Sequence, residues 1–262
     1  VARQPALFVS HGSPMMAIEP SPARDFLAGL GAELARPDAI LMVSAHFDEP
    51  VLTLTGSTQP PTIHDFGGFP DILYQQQYPA PGAPALAHEI AELLVRAGHD
   101  VTIDPERGLD HGAWVPLMLL YPKADIPVVQ LSIDRHRTPE WHLALGAALA
   151  PLGDRNILII GSGSMTHNLR AFFTARPAID ARPPEWVSAF ADWIDARLLD
   201  GDVAAVTDMM TRAPEAHRNH PTPDHILPLH VTMGAGGVPL RARRLHRSTT
   251  YGVLAMDAYV FD

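Results

Sequence analysis

Short, nearly unbroken apolar runs constrain this chain more than any other feature. Ala6–Val9 (ALFV), Ile40–Val43 (ILMV), Ile126–Ile133 (IPVVQLSI) and Ile157–Ile160 (ILII) are each bounded by turn formers or charged residues, the pattern of buried strands. Helical stripes alternate with them. Ala23–Ala35 carries Phe26, Leu27, Leu30 and Leu34 on one face, behind a Ser21-Pro22 start signal. Pro84–Ala97, Pro139–Leu149 and Pro184–Leu199 repeat the pattern, the last with Trp186, Phe190, Trp193 and Ile194 in a stripe. The alternation predicts an α/β fold: a single domain over residues 1–262 with a largely parallel central sheet flanked by helices. Further strands are expected at Val51–Thr55, Asp100–Asp104 and within Thr249–Phe261, and further helices at Val115–Tyr121 and Val203–Arg212. Gly56–Pro81, rich in Pro and Gly, reads as a long functional loop.

Composition narrows the function. Hydrophobic residues make up 47% of 262 and charged residues 18%, enough for a large core. A net charge of −10 argues against a nucleic-acid partner, which needs a basic face. The one basic cluster, Arg241, Arg243, Arg244 and Arg247, reads as a solvated turn or an edge strand. The absence of cysteine removes disulfides, thiolate nucleophiles and Cys-based metal sites. No apolar stretch is long enough for a bilayer span or a signal peptide, so no membrane partner and a cytoplasmic location are expected. Nothing in the pattern speaks to the oligomeric state.

The chemistry lies in the 14 histidines. His11 and His46 share one local grammar, a buried strand running out into a histidine and then a loop. At the carboxyl ends of parallel strands, where open α/β sheets bind ligands, two such imidazoles make a divalent-metal site. A third ligand is available from His217, His220, His225 or His230. Thr222-Pro223-Asp224 reads as a helix start that puts His225 in the first turn, while His230 falls on another face; His225 is the better candidate. His167, after the Gly-Ser-Gly-Ser turn that follows Ile160, belongs at the same edge as ligand or acid–base. That turn lacks the lysine and spacing of a phosphate-binding loop. Asp110 adjoins His111, but neighbours in sequence rarely face each other. His64-Asp65, in the long loop, reads equally as a pocket-lining pair or a loop cap, and no G-x-S-x-G elbow signals a serine hydrolase.

Together SHGSP (10–14), SAHF (44–47), TIHDFGGFP (62–70), YPAPG (78–82), DHGAW (110–114), VQLSID (129–134), GSGSMTHNL (161–169) and PTPDHILPL (221–229) resemble the class III extradiol ring-cleavage dioxygenases, in their DOPA-extradiol-dioxygenase-like branch. The resemblance runs in order across nearly the whole chain. It implies a mononuclear non-haem metal site with His11, His46 and His225 as ligands, His167 as acid–base and His111 as a second pocket histidine. It also implies O2 and a small aromatic diol, DOPA-like or related, as substrates, and ring opening to a muconic semialdehyde. The implied metal is Fe(II); a set of three neutral imidazoles suits Zn(II) as well. Phe47 and Phe66, with Phe69 and Trp114, are candidates for the pocket wall. Two alternatives share the scaffold: a zinc hydrolase with His167 as base, and a non-catalytic metal-binding interaction protein resembling the Memo proteins.

Overall fold

The computed structural model describes residues 3–262. Among the described residues ten strands are formed: β1 Ala6–Ser10, β2 Ala39–Asp48, β3 Leu52–Thr55, β4 Val101–Asp104, β5 Val128–Ile133, β6 Ile157–Gly163, β7 Ala242–His246, β8 Thr249–Thr250, β9 Leu254–Ala255 and β10 Ala258–Phe261. Eight of them make one sheet in the order β4-β3-β5-β2-β6-β1-β10-β7, and β8 and β9 pair separately. The pairings β5/β2, β2/β6, β6/β1 and β3/β4 are parallel, whereas β3/β5, β1/β10 and β10/β7 are antiparallel. The expected single α/β domain with a mostly parallel sheet is what forms.

Strand residues alternate cleanly between the two faces. Phe8, Leu41, Val43, Val129, Leu131 and Ile159 pack with the helices Pro84–Arg96, Pro139–Leu149, Glu185–Leu199 and Leu227–Gly236. Leu7, Val9, Ile40, Met42, Leu158 and Ile160 pack on the other side with Pro22–Glu33 and His111–Leu120. Both faces are therefore covered, which is why the central strands are apolar on consecutive positions. The arginine cluster falls at β7, an edge strand, one of its two expected readings.

Four local expectations need correction, and the first three bear on the site. The Gly-Ser-Gly after Ile160 is not a turn but the continuation of β6. A Cβ on Gly161 would lie 2.5 Å from the Pro228 carbonyl oxygen, and one on Gly163 2.1 Å from that of His225. The glycines let the 225–228 backbone lie directly on the strand. Secondly, His225 is not in a first helical turn: the helix begins at Leu227, with Pro228 in its first turn, and His225 sits in the preceding turn. Its carbonyl accepts from the Ser164 N–H at 2.9 Å. Thirdly, the helix expected from Val115 begins at His111, because the Asp110 side chain caps it by accepting from the Ala113 N–H at 3.2 Å. Finally, Val203–Arg212 is two short helices, Val203–Thr207 and Met209–Arg212.

The loop 56–81 is more tethered than its composition predicts. It contains a short helix, Asp71–Tyr74, and isolated bridges join Thr62 to Leu109 and Gly82 to Val128. The Trp114 indole N–H donates to the Ile63 carbonyl at 2.8 Å. No helix among the described residues is long and apolar enough to cross a membrane.

Candidate metal centre

His11 leaves β1 just past Ser10, and its N–H donates to the Gly163 carbonyl of the neighbouring β6 at 2.9 Å. Its ring is nearly inaccessible, at 1% exposure. Nδ1 lies 2.9 Å from the Ser162 hydroxyl oxygen. That hydroxyl gives its own proton to the Gly112 carbonyl, at 2.5 Å. Ser162 must then accept from His11, which puts the imidazole proton on Nδ1 and leaves a bare lone pair on Nε2.

His225 is set the same way. Its Nδ1 lies 2.5 Å from Asp224 Oδ2, so the proton stays on Nδ1 and Nε2 is free. Burial is the largest single influence and works against the Asp224 charge, but the hydrogen bond and charge of His225, with smaller hydrogen-bond contributions, together outweigh it and hold the carboxyl well below the usual range. Neighbours in sequence do pair here. At Asp110–His111 they do not: Asp110 turns inward to Ser44 Oγ (2.7 Å) and to the Gln130 amide.

His46 completes the group. The pairing of β2 with β5 slips between Val43–Leu131 and Asp48–Ile133, an irregularity that swings His46 out at the sheet edge. His46 Nε2 lies 3.1 Å from His11 Nε2 and 3.3 Å from His225 Nε2. Two lone pairs thus aim at one nitrogen, which carries at most one proton and can satisfy only one of them. A cation resolves the conflict. Metal–nitrogen bonds of about 2.0–2.1 Å at a tetrahedral angle put ligand nitrogens about 3.3 Å apart, close to the spacing here. Burial first, then the other histidines, holds His11 and His46 well below the ordinary imidazole range, so both are neutral and able to ligate.

His167 and His111 flank this trio. The His167 ring stacks on that of His225, with centroids 3.5 Å apart and planes 7° from parallel. Burial, then His225 and His220, pushes His167 down to about 2. Its N–H is anchored on the Asn219 carbonyl at 2.9 Å. Asp65 holds His111: Oδ1 accepts from the His111 N–H at 2.8 Å, and Oδ2 lies 3.0 Å from Nδ1. The same Oδ2 is 3.7 Å from His46 Nδ1.

A cavity of about 410 Å³ opens above His46, His111, His167 and His225, with Phe66 and Phe69 on its wall. Phe47 and His64 are not on that wall, contrary to expectation. Phe47 is buried beneath the Arg107 guanidinium, 3.8 Å from its ring centre, and His64 closes its own loop through Nε2 to the Gln76 carbonyl at 2.9 Å. Trp114 lies behind Phe66, fully buried. Of the other histidines weighed as ligands, His220 bonds the Met165 carbonyl, His230 faces that of Val206, and His217 is exposed. Asp65, named with His64 as a pocket candidate, does line the cavity. Sequence reasoning missed the roles of Asp224 and Ser162. Asp224 adjoins a histidine, the available signal; Ser162 had none, because its partner is distant in sequence.

A family model described as the catalytic LigB subunit of aromatic ring-opening dioxygenase matches residues 5–261. The chain belongs to that family. It is 45% identical to a 4,5-DOPA dioxygenase extradiol of Beta vulgaris, over 97% of this chain and 95% of the relative. Identity to a protein of the same name from Escherichia coli K12 is 44%, over 89% and 85%. A 2,3-dihydroxyphenylpropionate/2,3-dihydroxicinnamic acid 1,2-dioxygenase of Mycobacterium is 29% identical, over 67% of this chain and 61% of the relative. Among solved structures, a protein of Escherichia coli K12 described as uncharacterized superposes with a TM-score of 0.81 at 33% identity, covering 99% of this chain and all of the other. The LigB-family chain is thus a ring-opening dioxygenase of the extradiol class, an oxidoreductase. Dioxygenases of this family are metal-dependent, and the histidine cluster can take a metal.

Proposed function

We propose that His11, His46 and His225 hold one Fe(II), and that the cavity above them binds a catechol, a DOPA-like or related small aromatic diol, for ring opening by O2. The observation that carries this is the convergence of three Nε2 atoms, two of them proton-free by their Nδ1 partners. Iron rather than zinc is favoured because the reaction class consumes O2 and zinc has no redox chemistry. Bound there, the metal would acidify the diol and bring it together with O2.

His167 and His111 do the proton work in this reading. His167 is neutral at rest because a charge on it would sit buried against the stacked His225 ring. It therefore takes a proton only as the diol ionises beside it, and returns it as charge moves off the ring. His111 is fixed by Asp65 and His167 by its anchored backbone. His111 groups with His11 and His46 closely enough to be a ligand itself, but the contact of its Nδ1 with Asp65 favours a second proton-handling group. The net charge of −10 supports a small-molecule partner over nucleic acid.

The test is anaerobic loading with Fe(II), then mixing with a panel of catechols and O2. Oxygen uptake with a yellow ring-fission product is expected. No uptake with any catechol, alongside ester or amide hydrolysis by the zinc form, would overturn the proposal.

A further inference from the structure

The upper half of the cavity is unlike its floor. The helix Leu169–Ala175 buries none of its residues, yet Leu169, Phe172 and Phe173 turn toward the cavity, with Phe173 64% exposed and Leu169 46%. Across the opening stand Phe66 and Phe69 of the 56–81 loop, their rings 5.3 Å apart. Leu254 completes this upper apolar lining. Large apolar side chains left exposed around a concavity mark a surface that a ligand covers.

The side-chain polar groups near this rim each have a protein partner. The Tyr251 hydroxyl donates to the Glu19 carboxylate, Ser13 Oγ accepts from the Met15 N–H at 3.2 Å, and Asp65 is taken up by His111. No arginine or lysine is among the described residues that line the cavity, and the one carboxylate on its lining, Asp65, is negative. A carboxylate on the far end of a substrate would lose its water there and gain no cation, an uncompensated cost. At about 410 Å³ the cavity also lies within the range of roughly 300–1,000 Å³ that encloses ligands larger than a bare diol ring.

From this we infer that the substrate is a catechol bearing an uncharged apolar substituent, which sits between Phe66 and Phe69 on one side and Leu169, Phe172 and Phe173 on the other. The inference rests on the dioxygenase reading above and narrows its substrate class. The arm faces outward from the histidines, so it selects among substrates without touching the reacting atoms.

The test compares probes that differ only beyond the ring: catechol, 4-propylcatechol, 3,4-dihydroxyphenylpropionate, dopamine and DOPA, each with the Fe(II)-loaded enzyme. 4-Propylcatechol is expected to exceed the propionate and DOPA in kcat/KM by about tenfold or more, mainly through a lower KM. Phe173→Ala should shrink the advantage of 4-propylcatechol over catechol, and Phe173→Arg should narrow its lead over the propionate. Phe173 is mostly exposed, so neither change threatens folding. Turnover of the propionate or DOPA as efficient as that of 4-propylcatechol would refute the inference while leaving the dioxygenase reading intact. No oxygen uptake with any of the probes would instead sink that reading and this inference with it.

Discussion

Asp224→Asn tests the central argument, that hydrogen-bond partners at Nδ1 free the converging Nε2 atoms for a metal. Asp224 is buried, with Oδ2 against His225 Nδ1 and Oδ1 without a partner. Asparagine keeps the shape and removes the charge. Its amide can turn either way. With oxygen toward His225 it still accepts from Nδ1, but the ring loses the basicity an anionic partner confers. With nitrogen toward His225 it donates to Nδ1, which moves the imidazole proton to Nε2 and blocks ligation outright. Loss of such a supporting carboxylate typically lowers metal affinity by about 10–100-fold, or roughly 1.4–2.8 kcal/mol. The expected result is a fall of that size in Fe(II) or Zn(II) affinity, measured by chelator competition. Thermal stability of the metal-free protein should change much less, since asparagine preserves the packing of the side chain. An unchanged affinity would refute the claim that Asp224 sets the His225 tautomer.

Other expectations separate the roles. His225→Ala should lose bound metal, whereas His167→Ala should keep metal and lose turnover, as metal analysis beside oxygen uptake will show; loss of metal from the second variant would exchange the roles. Gly163→Ala places a Cβ 2.1 Å from the His225 carbonyl oxygen and should destabilise by about 1–3 kcal/mol while weakening metal binding. The control Gly29→Ala, in open space on a helix, should stabilise by up to about 1 kcal/mol in the same denaturation assay. Chelated protein should lose stability on acidification from pH 6.5 towards 4. Burial pushes His142 and His220 down to about 4, so the unfolded chain takes up protons that the folded one refuses over that window, each worth up to about 3 kcal/mol. Asp257, pushed up to about 7 by burial, acts in the opposite direction, but the histidines held low outnumber it. A flat denaturation free energy between pH 7 and 4.5 would contradict this.

The central strands were legible because burial on both faces writes itself as short apolar runs: Ala6–Val9 and Ile157–Ile160 both fall within strands of the sheet. The candidate ligands His11 and His46 were legible for the same reason, since a strand end declares where its next side chain emerges; His225 was reached instead through a helix-start signal, and the helix begins only at Leu227. Phe47 and His64 show the limit. Phe47 directly follows His46, and strand alternation sends successive side chains to opposite faces, so a wall position for both was unavailable. His64 points to the carbonyl of Gln76, a contact that depends on how a loop closes and leaves no periodic trace.

Gly161-Ser162-Gly163 is the instructive misreading, because the reason it is a strand is also the reason a site exists. Gly-Ser repeats favour turns when nothing else acts on them. Here β1 and β2 pair on either side, with Val9 and Ser44 both opposite Ser162, and that pairing outweighs local preference. The strand then needs glycine at alternate positions, since one face carries the 225–228 backbone at a distance no Cβ permits. Between them, Ser162 points to the opposite face, where its hydroxyl meets His11. One three-residue stretch therefore seats His225 from one side and orients His11 from the other. Both candidate ligands are placed by the same strand, so moving its backbone in Gly163→Ala should disturb them together.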